Sequence, residues 1–242
     1  MIDRLPLLAL LVLASLPSKS DAAAPTTRNY SVPSFDRIRI DGPYKVELRT
    51  NVSPFARATG SPLSLDGLSI GVEGRTLVVR KGGGGWGGYD GEDRGPVTIE
   101  VGTPGLNTAW INGAGALGID KVRGLSFELA IQGSGLARID QVEVDQLKTG
   151  ISGAGIARLS GSAARLTATI RGTSSFEGEA LAVKDAVIGA EGPSVVKASV
   201  SNAAKVDALG LASVTLSGSP ACTVKAQGSA TVTGCKQGGS GN

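Results

Sequence analysis

Residues 113 to 118 read GAGALG, and Gly113, Gly115 and Gly118 fall on the G-x-G-x-x-G spacing with which a strand-to-helix turn cradles a dinucleotide pyrophosphate. Asp140 follows at about the distance from which an acidic side chain grips ribose hydroxyls. Further along the options narrow. Asp90, Glu92 and Asp93 could offer oxygen ligands to calcium, but their spacing matches no EF-hand loop and no nonapeptide calcium repeat, and a solvated loop is the favoured reading. The chain contains no histidine, which excludes Ser-His-Asp and Cys-His nucleophiles, a histidine base and histidine-ligated metals. Catalysis would have to rest on carboxylates, Lys, Tyr, Ser or Cys. No cofactor and no metal is expected.

The elements that must position these residues are short strands and turns. Glycine stands at 36 of 242 positions, and Val, Ile and Thr recur in brief runs broken by Gly, Ser, Asn and Asp. Net charge is +3, with 24 basic and 21 acidic residues dispersed along the chain and aromatics at 4%. That composition offers neither the basic block nor the stacking surface of a nucleic-acid binder.

The N-terminus, MIDRLPLLALLVLASLPSKSDAAAP, carries Arg4, an apolar core from Leu5 to Leu16 and small residues at Ala22 to Ala24. This is the pattern of a secretory leader over residues 1–24, too short to span a bilayer, so an exported, periplasmic or extracellular chain without a transmembrane span after cleavage is expected. Export gives Cys222 and Cys235 an oxidising context. A disulfide clamping the end of the fold is the favoured pairing, and two buried thiols are the alternative.

After a polar linker over 25–34, the stretch FDRIRIDGPYKVELRTN alternates apolar and polar residues on both sides of Asp41-Gly42-Pro43 and reads as paired strands around a turn. Further strands are expected at 55–59, 68–72, 77–80 and 97–101, completing an N-terminal part over 35–110 with a glycine-rich loop at 82–95. In that loop Trp86 and Tyr89 could contact partners or sugars, or cover the side or end of the fold.

From residue 111 to 234 the chain repeats, before a tail over 235–242. The units begin INGAGALGID, IQGSGLARID, ISGAGIARLS, IRGTSSFEGE, AEGPSVVKAS, ALGLASVTLS and AQGSATVTGC, and their shared glycines, Gly113, Gly133, Gly153, Gly172, Gly192, Gly210 and Gly228, are spaced 20, 20, 19, 20, 18 and 18 apart. A period of 18 to 20 fits one coil of an all-β solenoid, in which equivalent positions stack into ladders. The leading position (Ile111, Ile131, Ile151, Ile170, Ala190, Ala208, Ala226) is apolar throughout and should face inward, as should Leu117, Ala137, Ala157, Phe176, Val196, Val214 and Val232. The next residue (Gly118, Arg138, Arg158, Glu177, Lys197, Thr215, Thr233) should face outward. The dinucleotide reading fails on this alignment: Gly118 becomes Arg138 and Arg158, and no helix follows the loop.

The opening FDRIRIDGPYKVEL, the middle LSIGVEGRTLVVR and the serial INGAGAL, IQGSGLARID and ISGAGIARLSG together resemble the head GIN domain family, whose members are labelled "putative autotransporter adhesin". The resemblance covers about Phe35 to Gly234. It implies a right-handed parallel β-helix-like solenoid in the bacterial envelope or outside the cell, with no catalytic motif to carry over. Autotransporters end in a membrane barrel of eight or more strands, whereas these repeats run to Thr233 and GCKQGGSGN, so self-translocation is not expected to come with the likeness.

The expected function is non-catalytic binding or adhesion to a cell-surface glycan or an envelope protein. Candidate contact residues are Trp86 and Tyr89 in the loop and the outer-face charges Arg138, Asp140, Arg158 and Glu177, which as easily form a solvated face. One alternative is a glycan-active lyase or hydrolase, since Asp120 and Asp140 share a repeat position and would stack about 4.8 Å apart, close to the 5 to 9.5 Å that paired carboxylates need. Another is a self-associating structural protein of the envelope.

Overall fold

The computed structural model describes residues 25–83 and 96–236. The leader, most of the glycine-rich loop, including Trp86, Tyr89, Asp90, Glu92 and Asp93, and the last residues of the tail lie outside that range.

The chain forms β1 (Thr26–Tyr30), β2 (Arg37–Asp41), β3 (Lys45–Thr50), β4 (Phe55–Gly60), a single helical turn α1 (Pro62–Asp66), β5 (Leu68–Glu73), β6 (Thr76–Lys81), β7 (Thr98–Thr103), β8 (Thr108–Gly113), β9 (Ala116–Gly133), β10 (Leu136–Gly153), β11 (Ile156–Gly172), β12 (Ser175–Glu191), β13 (Val195–Gly210), β14 (Ser213–Ser217), β15 (Ala221–Gly228) and β16 (Thr231–Thr233). The architecture is an all-β solenoid of about six turns. Each long strand is one bent coil. In β9 and β10 the parallel pairing lapses at Asp120/Asp140 and at Leu125/Asp145, dividing the coil into a first, a middle and a third face.

The seven marked glycines carry the third corner. All have positive φ, from 76° to 113°, so each turns the chain where an L side chain is strained. They also stack: a Cβ on Gly153 would lie 2.6 Å from the carbonyl oxygen of Gly133. Alternation puts one side of every coil inside. Ile111, Ile131, Ile151 and Ile170 are all at most 2% exposed, and Leu117, Ala137, Ala157 and Phe176 likewise. Phe127, Leu147, Leu166, Ala186 and Ala204 form a further interior ladder, and Cys222 continues it. A disulfide joins Cys222 to Cys235 with Cα atoms 5.7 Å apart, tying the last coil to the chain that leaves it. Ala226 departs from the pattern. It is exposed where β15 pairs with β13 alone among the described residues, so no further coil stacks on that strand.

The N-terminal part differs from the expected hairpin. β2 and β3 do not pair with each other; β2 lies parallel between β6 and β8, and β3 parallel between β7 and β9. Asp41-Gly42-Pro43 is thus a coil corner, with Gly42 at φ 117° stacked beside Gly113. The physical reason is that Ile38, Ile40, Val46 and Leu48 need cover on one common inner side, which a coil gives and an isolated hairpin does not. The stretch expected as a linker carries β1, which adds antiparallel to β4, itself antiparallel to β7. On the other face β5 is antiparallel to β6.

Candidate functional site

The first face presents an outward column that runs Glu100, Glu47, Gly118, Arg138, Arg158, Glu177, Lys197, Thr215, Thr233 in strict register. Charge is largely matched within it. Arg158 Nε donates to Glu177 Oε2 at 2.7 Å, which raises the Arg158 pKa further, and Arg138 Nε lies 3.5 Å from Asp140 Oδ1. Glu100 pairs with Arg57, and Lys197 Nζ lies 3.3 Å from Glu179. Gly118 has a packing role here: a Cβ at that position would overlap the Glu47 carboxylate at 2.1 Å, so glycine leaves room for the neighbouring coil's side chain.

Asp120 and Asp140, which share a repeat position, both lie at the first corner, where the pairing lapses, and they do different work. Asp120 Oδ1 accepts the backbone N–H of Thr50 at 3.0 Å and that of Lys121 at 2.6 Å, while Thr50 Oγ1 donates to the Lys121 carbonyl at 2.8 Å. Its carboxylate therefore closes the end of β3 against β9. Asp140 sits on an open face beside Arg138.

Around the corner, Glu143 gathers two cations from the preceding coil. Lys121 Nζ reaches Oε1 at 2.9 Å, Arg123 reaches Oε2 at 2.6 Å, and Gln141 Nε2 donates to Oε1 at 2.6 Å. Hydrogen bonds from Lys121 and then Arg123 hold the Glu143 carboxyl below the usual carboxylate range. Lys121 and Arg123 also line a depression of about 430 Å³ whose other walls are Thr50, Asn51, Pro104, Gly105 and Leu106. Among the described residues no group of three or more His, Cys, Asp or Glu side chains could hold a metal ion.

The third face carries a residue that sequence reading passed over. Trp110 lies between Ala109 and Ile111, both fully buried, so alternation turns it outward, and it remains half-buried. Its register partners on either side are Arg39 and Ala130. The signal was present: Trp110 directly precedes the first inward position, and Ala130, Gly150 and Thr169 fill the same place in the next units.

The chain is similar to proteins of known structure along nearly all of the described range. A family model described as "Putative auto-transporter adhesin, head GIN domain" matches residues 34–220. A protein from Bacteroides fragilis described as a putative adhesin superposes with a TM-score of 0.77 at 17% identity, covering 86% of this chain and 96% of that one. One from Parabacteroides distasonis described as a putative lipid binding protein gives 0.69 at 16% identity over 88% and 96%, and a putative adhesin from Parabacteroides merdae gives 0.66 at 16% over 88% and 96%. At these identities the likeness establishes the fold. No curated protein matches the chain.

Proposed function

From the premise that the chain belongs to the head GIN domain family, we propose that it is a non-catalytic binding module of the cell envelope, holding a glycan or a protein ligand against its outer sheet faces. The observation that carries this reading is the use of its carboxylates: Asp120 is tied to the backbone of Thr50 and Lys121, Glu143 to two cations, and Glu177 to Arg158. What the coils offer instead is long, regular, open surface, the form in which solenoids present ligands with many weak contacts. Adhesion also agrees with the names of the Bacteroides and Parabacteroides relatives. A lipid ligand, as named for the Parabacteroides distasonis protein, finds an interior already filled by Phe127, Phe176 and the aliphatic ladders.

The outer-face charges Arg138, Asp140 and Arg158, together with Trp86 and Tyr89, remain the contact residues of this reading. The test is retention of the mature protein on a glycan array, on an array of envelope proteins, and on isolated envelope fractions. Retention on at least one is expected, and it should weaken when residues 82–95 are deleted if the glycine-rich loop takes part. Absence of retention on all three removes the reading. A self-associating role is favoured by one feature, the edge of β15 that is unpaired among the described residues, with Val224 42% exposed. Sedimentation showing monomer across a concentration series eliminates it.

A further inference from the structure

Resting on that binding reading, we infer that the third face holds a saccharide-binding trough headed by Trp110, which takes an uncharged glycan chain lying along the solenoid axis. Its floor is the outward column that follows Trp110. The register continues from Trp110 to Ala130, Gly150 and Thr169, so the side chain shrinks from an indole to a methyl to nothing over two coils. The floor drops where the side chains end. A depression of about 170 Å³ results, with Gln132, Ser152 and Arg171 from the adjacent outward column on its wall.

The chemistry of floor and wall points to a sugar. A pyranose has one apolar C–H face and a rim of hydroxyls; the first stacks on a flat aromatic side chain, and the second is read by groups that donate and accept. Trp110 supplies the aromatic plane. Gln132 and Ser152 are exposed and make no side-chain hydrogen bond to the described residues, so both are available, whereas Asn112 before them is fixed by donating to Asp41 Oδ1 at 2.6 Å. Arg171 Nε lies 3.1 Å from Glu191, so the far end of the wall is charge-balanced. The floor and this wall are otherwise neutral through three coils, Trp110, Ala130 and Gly150 beside Asn112, Gln132 and Ser152, and on the opposite flank Thr108, Glu128, Lys148 and Thr167 set one acid in register with one base, so the trough has no net charge and suits an uncharged polymer better than an anionic one. Coils repeat these wall groups every 4.8 Å or so, on the scale of one sugar residue in an extended chain.

In calorimetric titrations with cellohexaose, mannohexaose and chitohexaose, the parent protein should show a saturable change with at least one. Gly150→Leu should weaken that binding about tenfold or more by filling the trough. A Cβ at Gly150 meets nothing within 4 Å and the backbone there is not left-handed, so the variant keeps its fold, as circular dichroism and thermal unfolding will verify. Gln132→Ala should weaken binding by a smaller factor. Unchanged affinity in Gly150→Leu, or no saturable change with any of the three sugars, overturns the trough. Retention of the parent on envelope fractions, measured in parallel, separates the two claims: retention without oligosaccharide binding removes the trough and leaves the binding module, while oligosaccharide binding without retention leaves the trough and removes the envelope role.

Discussion

Between Leu136 and Gly210 each long strand lies against the strands that precede and follow it in the chain, about 20 residues away, whereas β2 lies between strands 39 and 71 residues later and β3 between strands 53 and 71 residues later. Both regions share the same ladders, Ile40 with Ile111 and Gly42 with Gly113, so their cross-sections are alike. Their connectivity is not. The coil can grow or fray one turn at a time, because each turn touches only its neighbours. The N-terminal block is interleaved: β2 and β3 are held on both sides by strands that are sequence-distant, so its parts should form and open together. The same side chains in the same ladder should therefore report different cooperative units.

Truncating the ladder in each region breaks or sustains this contrast most directly. Ile40→Ala and Ile151→Ala each remove a fully buried side chain, at a cost of about 2–5 kcal/mol in urea unfolding. By hydrogen exchange the first should loosen β2, β3 and β6 to β9 as one unit and the second only β9 to β11; equal footprints would end the distinction.

The glycine corners give the next effect. Gly153→Ala would press a Cβ onto the Gly133 backbone in a left-handed conformation and should cost about 3 kcal/mol or more, while at Gly42 the Cβ meets only the Tyr44 ring at 3.2 Å, so Gly42→Ala should cost about 1–2 kcal/mol. Matching losses in denaturant melts would show that backbone conformation, not stacking, sets the penalty.

At the far end, replacing Cys222 and Cys235 by Ser opens a short loop, for which about 2–3 kcal/mol is expected. Exchange should quicken in β15 and β16 and stay unchanged in β2 to β8. A change in the N-terminal block would contradict turn-by-turn behaviour.

The smallest effect concerns Glu143, at the junction of the two regions. Its folded pKa is depressed by Lys121 and Arg123, so its contribution is present above the unfolded value of about 4.3 and is lost as pH falls through the lower folded value. Glu143→Gln should flatten that part of the stability curve below about pH 4.3 and leave it alone near neutrality; an unaltered acid limb would show that the network contributes nothing.

These regions also differ in how far they could be read from letters alone. The coils were legible because each turn repeats an apolar residue, a glycine two places on and an inward residue four beyond that, and position alone then decides which side chains face in. The interleaved block was not, because alternation around Asp41-Gly42-Pro43 is the same for a hairpin and for a coil corner, and the partner that decides between them lies 71 residues away. Setting IDGPYKVEL beneath INGAGALGI would have exposed it. The repeat gave Asp120 the same position as Asp140, but its task was hidden, since the N–H it receives belongs to Thr50, 70 residues upstream. Ala226 was read as interior because composition says nothing of whether another coil covers it.

The position of β3 between β7 and β9 has a consequence for how the molecule comes into being. A chain that emerges N-terminus first, from a ribosome or through a translocation pore, presents β2 and β3 early but cannot enclose them until residues up to Ile119 have followed. About half of its length must stay open before any of the ladder is complete. After that point, each further 20 or so residues that emerge can dock at once on a finished edge.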